Sequence, residues 1–244
     1  MRTTVNHQRK RAARGFSMLE MMLAMSMFVF IMVLIFGGFK IFMRAWRTTD
    51  ARNEIHRQFI KVNYSFDREV TLTALSTIRY GNEEGKDWIL FSSPLDANGT
   101  PHYDNKGAPD WQKTVIFYTI RPAGDACQKP ADSDMYCPHK YIIRKDVDYS
   151  LRIDENEVTK YLTLTLDTVQ AATEHGVLYA KAVAENVIFM KAITDPQKVS
   201  LHVGMLRLSE AERQFKVGLV SLDTDIPKPY IHELAWATVP KNSE

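Results

Sequence analysis

The apolar positions of the chain change their spacing twice. Residues 16–39 form an unbroken apolar run of 24 positions in which Glu20 is the single charged side chain. As a helix rising 1.5 Å per residue, such a run is long enough to cross a hydrocarbon core of about 30 Å. Further on, Ile55, Phe59, Val62, Phe66 and Val70 recur at intervals of four, three, four and four, which is one face of an α-helix. Arg52, Arg57, Lys61 and Arg68 fall on its other faces. The two patterns predict one long helix to about residue 74, apolar all round over 16–39 and amphipathic over 40–74. Gly37 and Gly38 lie at the change of pattern. Each is about 1 kcal/mol worse than alanine inside a helix, so flexibility is expected there.

From residue 75 the pattern becomes short β-rich runs between turn residues. Gly81 and Gly85 mark a loop, followed by expected strands at 88–91, 115–120 and 140–144. Residues 94–111, rich in Pro, Asp, Asn and Gly, read as a loop. The run Tyr161-Leu162-Thr163-Leu164-Thr165-Leu166 alternates strictly, which predicts a half-buried strand with the leucines inward. Further strands are expected at 187–192, 199–207, 215–222 and 231–239, while 168–185 fits a short helix and an extended segment equally. No internal repeat stands out. The fold class is α+β: a long N-terminal helix whose second half packs on an antiparallel sheet, with 75–244 as one β-rich globular domain.

Charge sharpens the picture at the N-terminus. Arg9, Lys10, Arg11 and Arg14 precede Gly15 and the apolar run. Lysine and arginine next to a span favour the cytoplasmic side, so the N-terminus is expected inside and the domain outside. A secretory signal would carry its small-residue cleavage site after a shorter apolar run. Here the small residue comes first, and a carboxylate follows within the run. An ionisable group in a membrane segment costs on the order of 3 kcal/mol, which points to a partner or a function for Glu20.

The stretch Gly15-Phe16-Ser17-Met18-Leu19-Glu20 resembles the class III signal of type IV prepilins and pseudopilins, G-F-[ST]-L-x-E, with Met18 replacing leucine. The resemblance implies a pilin-like fold and a leader, residues 1–15, removed by a prepilin peptidase that cuts between Gly15 and Phe16 and N-methylates Phe16. It implies that residues 16–39 serve first as a membrane anchor and then as filament core, loosening near Gly37 and Gly38. Glu20 would neutralise the N-terminal ammonium of a neighbouring subunit. Opposite charges about 4 Å apart attract by roughly 4 kcal/mol at an effective dielectric of about 20, enough to set register. The run Phe66-Asp67-Arg68-Glu69-Val70 and the run Glu185-Asn186-Val187-Ile188-Phe189 lean the resemblance toward J-type minor pseudopilins and W-type minor pilins. Such proteins prime or cap a pilus or a type II secretion pseudopilus from the inner membrane. The implied partners are the prepilin peptidase/methyltransferase, the inner membrane and other major and minor pilins or pseudopilins.

Loss of the leader would remove Arg2, Arg9, Lys10, Arg11 and Arg14. The precursor has 31 basic residues; without these five it has 26 against 29 acidic ones, a net charge of −3. That balance disfavours nucleic acid as a partner. Cys127 and Cys137 are the two cysteines, and in an oxidising compartment the pair reads as a disulfide closing the base of a loop. A zinc site at Cys127, Cys137 and His139 lacks a fourth ligand at a familiar spacing. The stretch Asp96-Ala97-Asn98-Gly99 opens like a calcium loop, but Pro101 and the missing closing glutamate make it a turn. No P-loop, G-x-S-x-G or G-x-G-x-x-G occurs. The expectation is therefore no catalytic residue, no metal and no cofactor. Of the aromatics, Trp88 and Tyr118 fit a core and Trp111 a surface contact. Two alternatives remain open: a minor pilin acting in DNA uptake or adhesion, and an uncleaved bitopic membrane protein with a periplasmic sensor domain.

Overall fold

The computed structural model describes residues 17–121, 140–206 and 231–241. The chain divides into two units, Met1–Arg47 and Thr48–Glu244. Helix α1, Met18–Val70, supplies the described helix of the first unit and the opening helix of the second. Over residues 18–39 it is exposed on every side and apolar apart from Glu20, and it is long and apolar enough to span a membrane. It continues through Gly37 and Gly38 without a break, and a Cβ added at either glycine would meet nothing within 4 Å. α1 ends at Val70 rather than near 74, because Leu72 and Thr73 donate their N–H groups to the carbonyls of Glu69 and Val70 in a tighter turn.

In the second unit an antiparallel meander follows: β1 Arg79–Glu83, β2 Lys86–Ser93, β3 Lys113–Ile120, β4 Lys140–Asp148, β5 Val177–Thr194, β6 Val199–Leu206 and β7 Ile231–Thr238. Among the described residues each strand pairs with the next in sequence, giving a seven-stranded sheet. The protein is thus α+β, with a long apolar N-terminal helix and a curled antiparallel sheet.

The helix face read from spacing is the face that is buried. Ile55, Phe59, Val62, Phe66 and Val70 meet Ile89, Phe91, Val115, Phe117 and Ile142 from alternate positions of β2, β3 and β4. Phe66 is wholly buried, with the rings of Phe91, Phe117 and Trp236 edge-on at 5.8, 5.7 and 6.3 Å. Phe66→Ala is expected to destabilise the second unit by about 3–5 kcal/mol, the cost of deleting a buried ring and leaving its cavity. A shift of the denaturant midpoint worth under about 1 kcal/mol would mean that the helix does not hold this seat.

The opposite face of the sheet is also covered. Trp88, Leu90, Ile116, Tyr118 and Ile143 pack beneath Ile153, Val158 and Leu162. This second layer runs through residues 149–176 as two 3₁₀ turns, Tyr149–Leu151 and Val158–Tyr161, and a short helix α2, Thr168–Ala171. The expected strand at 161–166 is therefore not formed. Leu162 is buried as its alternation required, but Thr163 and Thr165 turn to Glu174 and Lys145 rather than to a neighbouring strand. The undecided stretch 168–185 is both things in turn, α2 and then the first half of β5. The strand expected at 187–192 begins ten residues earlier, at Val177. Asn186 has φ +59° inside β5, where the register to β4 and β6 slips, and Glu185 donates its N–H to Gln58 Oε1 on α1 at 3.0 Å. The bulge, and not a strand start, accounts for the polar Glu185-Asn186 pair.

Gly81 belongs to β1, and the turn to β2 is Glu84-Gly85, both at positive φ. Residues 94–111 hold a short repeat that the sequence reading missed. Asp96 Oδ1 accepts from the N–H groups of Asn98 and Thr100, and Asp104 Oδ1 accepts from those of Lys106 and Ala108, all at 2.8 Å. The N–H of His102 reaches the carbonyl of Pro94, and that of Asp110 reaches the carbonyl of His102. Gly99 and Gly107 take φ +80° and +82°, a conformation glycine adopts without penalty. Aspartate, glycine and proline recur eight residues apart as Asp96/Asp104, Gly99/Gly107 and Pro101/Pro109 because each copy closes the same turn. The expected strand at 215–222 and the Cys127–Cys137 pair lie outside the described residues.

Candidate functional site

Gly15 and Phe16 lie outside the described residues; Ser17 and Glu20 open α1. The N–H of Ser17 donates to Glu20 Oε2 at 2.9 Å, and the N–H of Glu20 donates to Ser17 Oγ at 3.2 Å. This reciprocal pair satisfies two N–H groups that a helix start leaves open, a device worth about 1 kcal/mol. The Ser-x-x-Glu spacing was legible in the sequence, so Glu20 has a job inside its own helix beside any role between subunits. Ser26 donates its hydroxyl to the Leu23 carbonyl at 2.9 Å, which leaves that polar group satisfied within the apolar run.

In the second unit the end of α1 is tied to the sheet by charge. Glu69 Oε1 accepts from Arg144 Nη2 at 2.6 Å and from Lys113 Nζ at 3.2 Å, while Ser93 Oγ donates to Oε2. Asp146 takes Arg144 Nε on one oxygen at 2.7 Å and Lys113 Nζ on the other at 2.8 Å. Arg144 Nη1 reaches Ser65 Oγ at 3.1 Å. Glu69 is 2% exposed, so two cations and two carboxylates share a largely dry pocket. Burial works against the charged form of Arg144, but Asp146 and Glu69 outweigh it and hold the guanidinium more firmly protonated than usual. A cleft of 450 Å³ opens beside the cluster, between Arg68, Asp96, Gly99 and Tyr179.

A second buried cation lies under the 149–176 layer. The Lys145 side chain is fully buried, and its Nζ donates to Glu174 Oε2 at 2.6 Å, Thr163 Oγ1 at 2.6 Å and the Tyr161 carbonyl at 2.9 Å. All three ammonium protons are thereby placed. Burial lowers the Lys145 pKa, with Glu174 opposing it. Tyr118 donates its hydroxyl to the Thr163 carbonyl at 2.6 Å, and burial together with the Glu174 charge raises its pKa far above the ordinary value. For Glu174, burial pushes upward, but bonds from Lys145, Thr165 and Thr163 win and the native pKa falls below the ordinary 4.5. A carboxylate held below its unfolded value stabilises the fold above pH about 4.5 and ceases to do so as pH falls through the native value. The stability gap between wild type and Glu174→Gln is therefore expected at neutral pH and should narrow progressively as the pH falls below about 4.5 in acid-unfolding curves. A gap that stays constant across that range would show that Glu174 acts by shape alone.

Among the described residues no three His, Cys, Asp or Glu side chains converge on a common point. Asp96 is committed to its own turn, with its pKa lowered chiefly by the Thr100 N–H; burial opposes this and His102 adds to it. Trp88 and Tyr118 are core residues, whereas Trp111 is partly exposed. Cys127, Cys137 and His139 lie outside the described residues. No protein-family model, curated protein or solved structure matches the chain.

Proposed function

We propose that the chain is a minor pilin or pseudopilin: a structural subunit cut between Gly15 and Phe16 by a prepilin peptidase, N-methylated at Phe16, and used to start or cap a type IV pilus or type II secretion pseudopilus. The supporting observation is the first turn of α1. The Ser17–Glu20 cap starts the exposed apolar part of α1 immediately after the Gly15-Phe16 junction. A helix start marked so sharply suits a segment whose preceding residues are discarded. Exposed apolar side chains on every side demand lipid or other helices as neighbours.

The second unit supports the same reading. The amphipathic half of α1 lies on an antiparallel sheet, the arrangement expected of a pilin-like fold. Glu69, within the run that leans toward J-type and W-type subunits, has a structural role at the helix–sheet junction. In this reading Gly37 and Gly38 leave the helix intact in the single chain and permit loosening or close approach on assembly. The domain faces the periplasm or exterior, with the N-terminus inside, and the subunit passes from the inner membrane to the tip of the filament. The deciding experiment is the intact mass and N-terminal fragmentation of the protein from its native membrane. A chain starting at N-methylated Phe16 supports the proposal; a chain starting at Met1 overturns it in favour of a bitopic membrane protein.

A further inference from the structure

The two helical turns just beyond the apolar run have an unusual distribution of side chains. Lys40, Arg44 and Arg47 are exposed and, at 100° per residue, fall within about 60° of one another on the α1 surface. Phe39, Phe42 and Trp46 occupy the opposite side, with Phe42 and Trp46 in ring contact at 6.0 Å and each more than half exposed. Tryptophan with basic residues at the end of an apolar span is the composition of a membrane–water interface, where rings settle at headgroup depth and cationic heads reach the phosphates.

The charge balance across the apolar run makes this band informative. The leader brings five lysines and arginines to one end of the run. Lys40, Arg44, Arg47, Arg52 and Arg57 bring five to the other within 20 residues. Orientation by positive charge counts these residues near the span, so the downstream five oppose the asymmetry that the leader suggests. With the N-terminus inside, as proposed above, these basic residues face away from the cytoplasm, against that rule; Arg57 already pairs with Glu54, whereas Lys40, Arg44 and Arg47 lie nearest the end of the span. Anionic phospholipid headgroups have the required charge and depth.

We propose that Lys40, Arg44 and Arg47, seated by Trp46 and Phe42, form a collar that binds anionic phospholipid headgroups at the end of the span away from the leader. This rests on the reading of the apolar part of α1 as a membrane span. Residues 18–39 as a helix cover about 33 Å, which places Lys40 at the far edge of a core of about 30 Å. The two turns from Lys40 to Arg47 then pass through the headgroup layer. The collar holds the subunit at a fixed height in the bilayer until another interaction replaces the lipid.

The test uses full-length protein reconstituted in vesicles of phosphatidylcholine and phosphatidylglycerol in equal parts. Spin-labelled phosphatidylglycerol and spin-labelled phosphatidylcholine are added separately as probes. The fraction of each probe immobilised at the protein gives their relative association. Wild type is expected to favour the anionic probe several-fold, with the preference shrinking as salt is raised. K40Q/R44Q/R47Q is expected to lose most of it, by up to about fivefold per basic residue, while R9Q/K10Q/R11Q/R14Q retains a clear part. Equal association of both probes with wild type, or a preference that only the leader variant abolishes, would overturn the collar and leave the span intact. No immobilised probe of either kind would overturn the span itself, and the collar with it.

Discussion

Arg144→Met is expected to lower the unfolding free energy of the second unit by about 3–5 kcal/mol, the range for removing one partner from a buried ion pair. Arg144 is the hub of its cluster: it bonds Asp146 through Nε and Glu69 through Nη2, and its guanidinium lies 5.6 Å from the Tyr179 ring centroid. Without it, Lys113 faces two carboxylates alone, and Glu69 keeps one other bond, from Ser93. Glu69 and Asp146 are only 2% and 7% exposed, so the loss is chiefly that of a buried, uncompensated charge rather than of a surface pair. Replacing Glu69, Lys113, Arg144 and Asp146 together by apolar residues of similar volume should recover most of the loss, because the desolvation of all four charges disappears with them. Denaturant midpoints of the four-fold and single variants measure both effects. A change under about 1 kcal/mol for Arg144→Met would show that the cluster is hydrated in solution.

Gly15→Trp is expected to abolish processing, leaving a precursor that keeps residues 1–15 and stays in the membrane. The physical argument is access: a peptidase that cuts at the membrane boundary must bring the Gly15 backbone close, and an indole on Cα stands in the way. Normal cleavage of the variant would count directly against the prepilin reading. Glu20 supplies the companion measurement, because its two roles separate chemically. Gln at this position keeps the reciprocal cap with Ser17 but has no charge, whereas Ala removes both. If Glu20 pairs with a neighbour's N-terminus, Glu20→Gln and Glu20→Ala are both cut and both fail to assemble. If the cap is its whole contribution, Glu20→Gln assembles and Glu20→Ala is weakened. Mass spectrometry of the membrane fraction reads the cleavage, and co-purification with the other subunits reads the assembly.

The long helix was the most legible part of the protein, because its signal is local. An unbroken apolar run and a three-four spacing are properties of consecutive residues, and the faces they define are the exposed and buried faces found. Most strands were legible for the same reason, although β4 was expected to stop at Arg144. Charge at Arg144, Lys145 and Asp146 reads as the edge of a core. The structure carries the strand to Asp148 because each charge is matched from another element: Glu69 from the helix, Lys113 from the preceding strand β3, Glu174 from the second layer.

The sequence alone therefore determined that the protein has an apolar N-terminal helix able to span a membrane, an amphipathic continuation, and a β-rich remainder. It also held the Ser17–Glu20 cap and the eight-residue turn repeat, both readable from spacing once the hydrogen bonds are seen. Only the tertiary structure decided that the sheet is covered on both faces and that residues 161–166 lie over it instead of within it. Alternation states that one side of a segment is apolar; it does not say which surface receives that side, nor whether the polar side faces water or a buried lysine. Those choices depend on residues far apart in the chain, and the burial of Lys145 beneath Glu174, 29 positions away, is one of them.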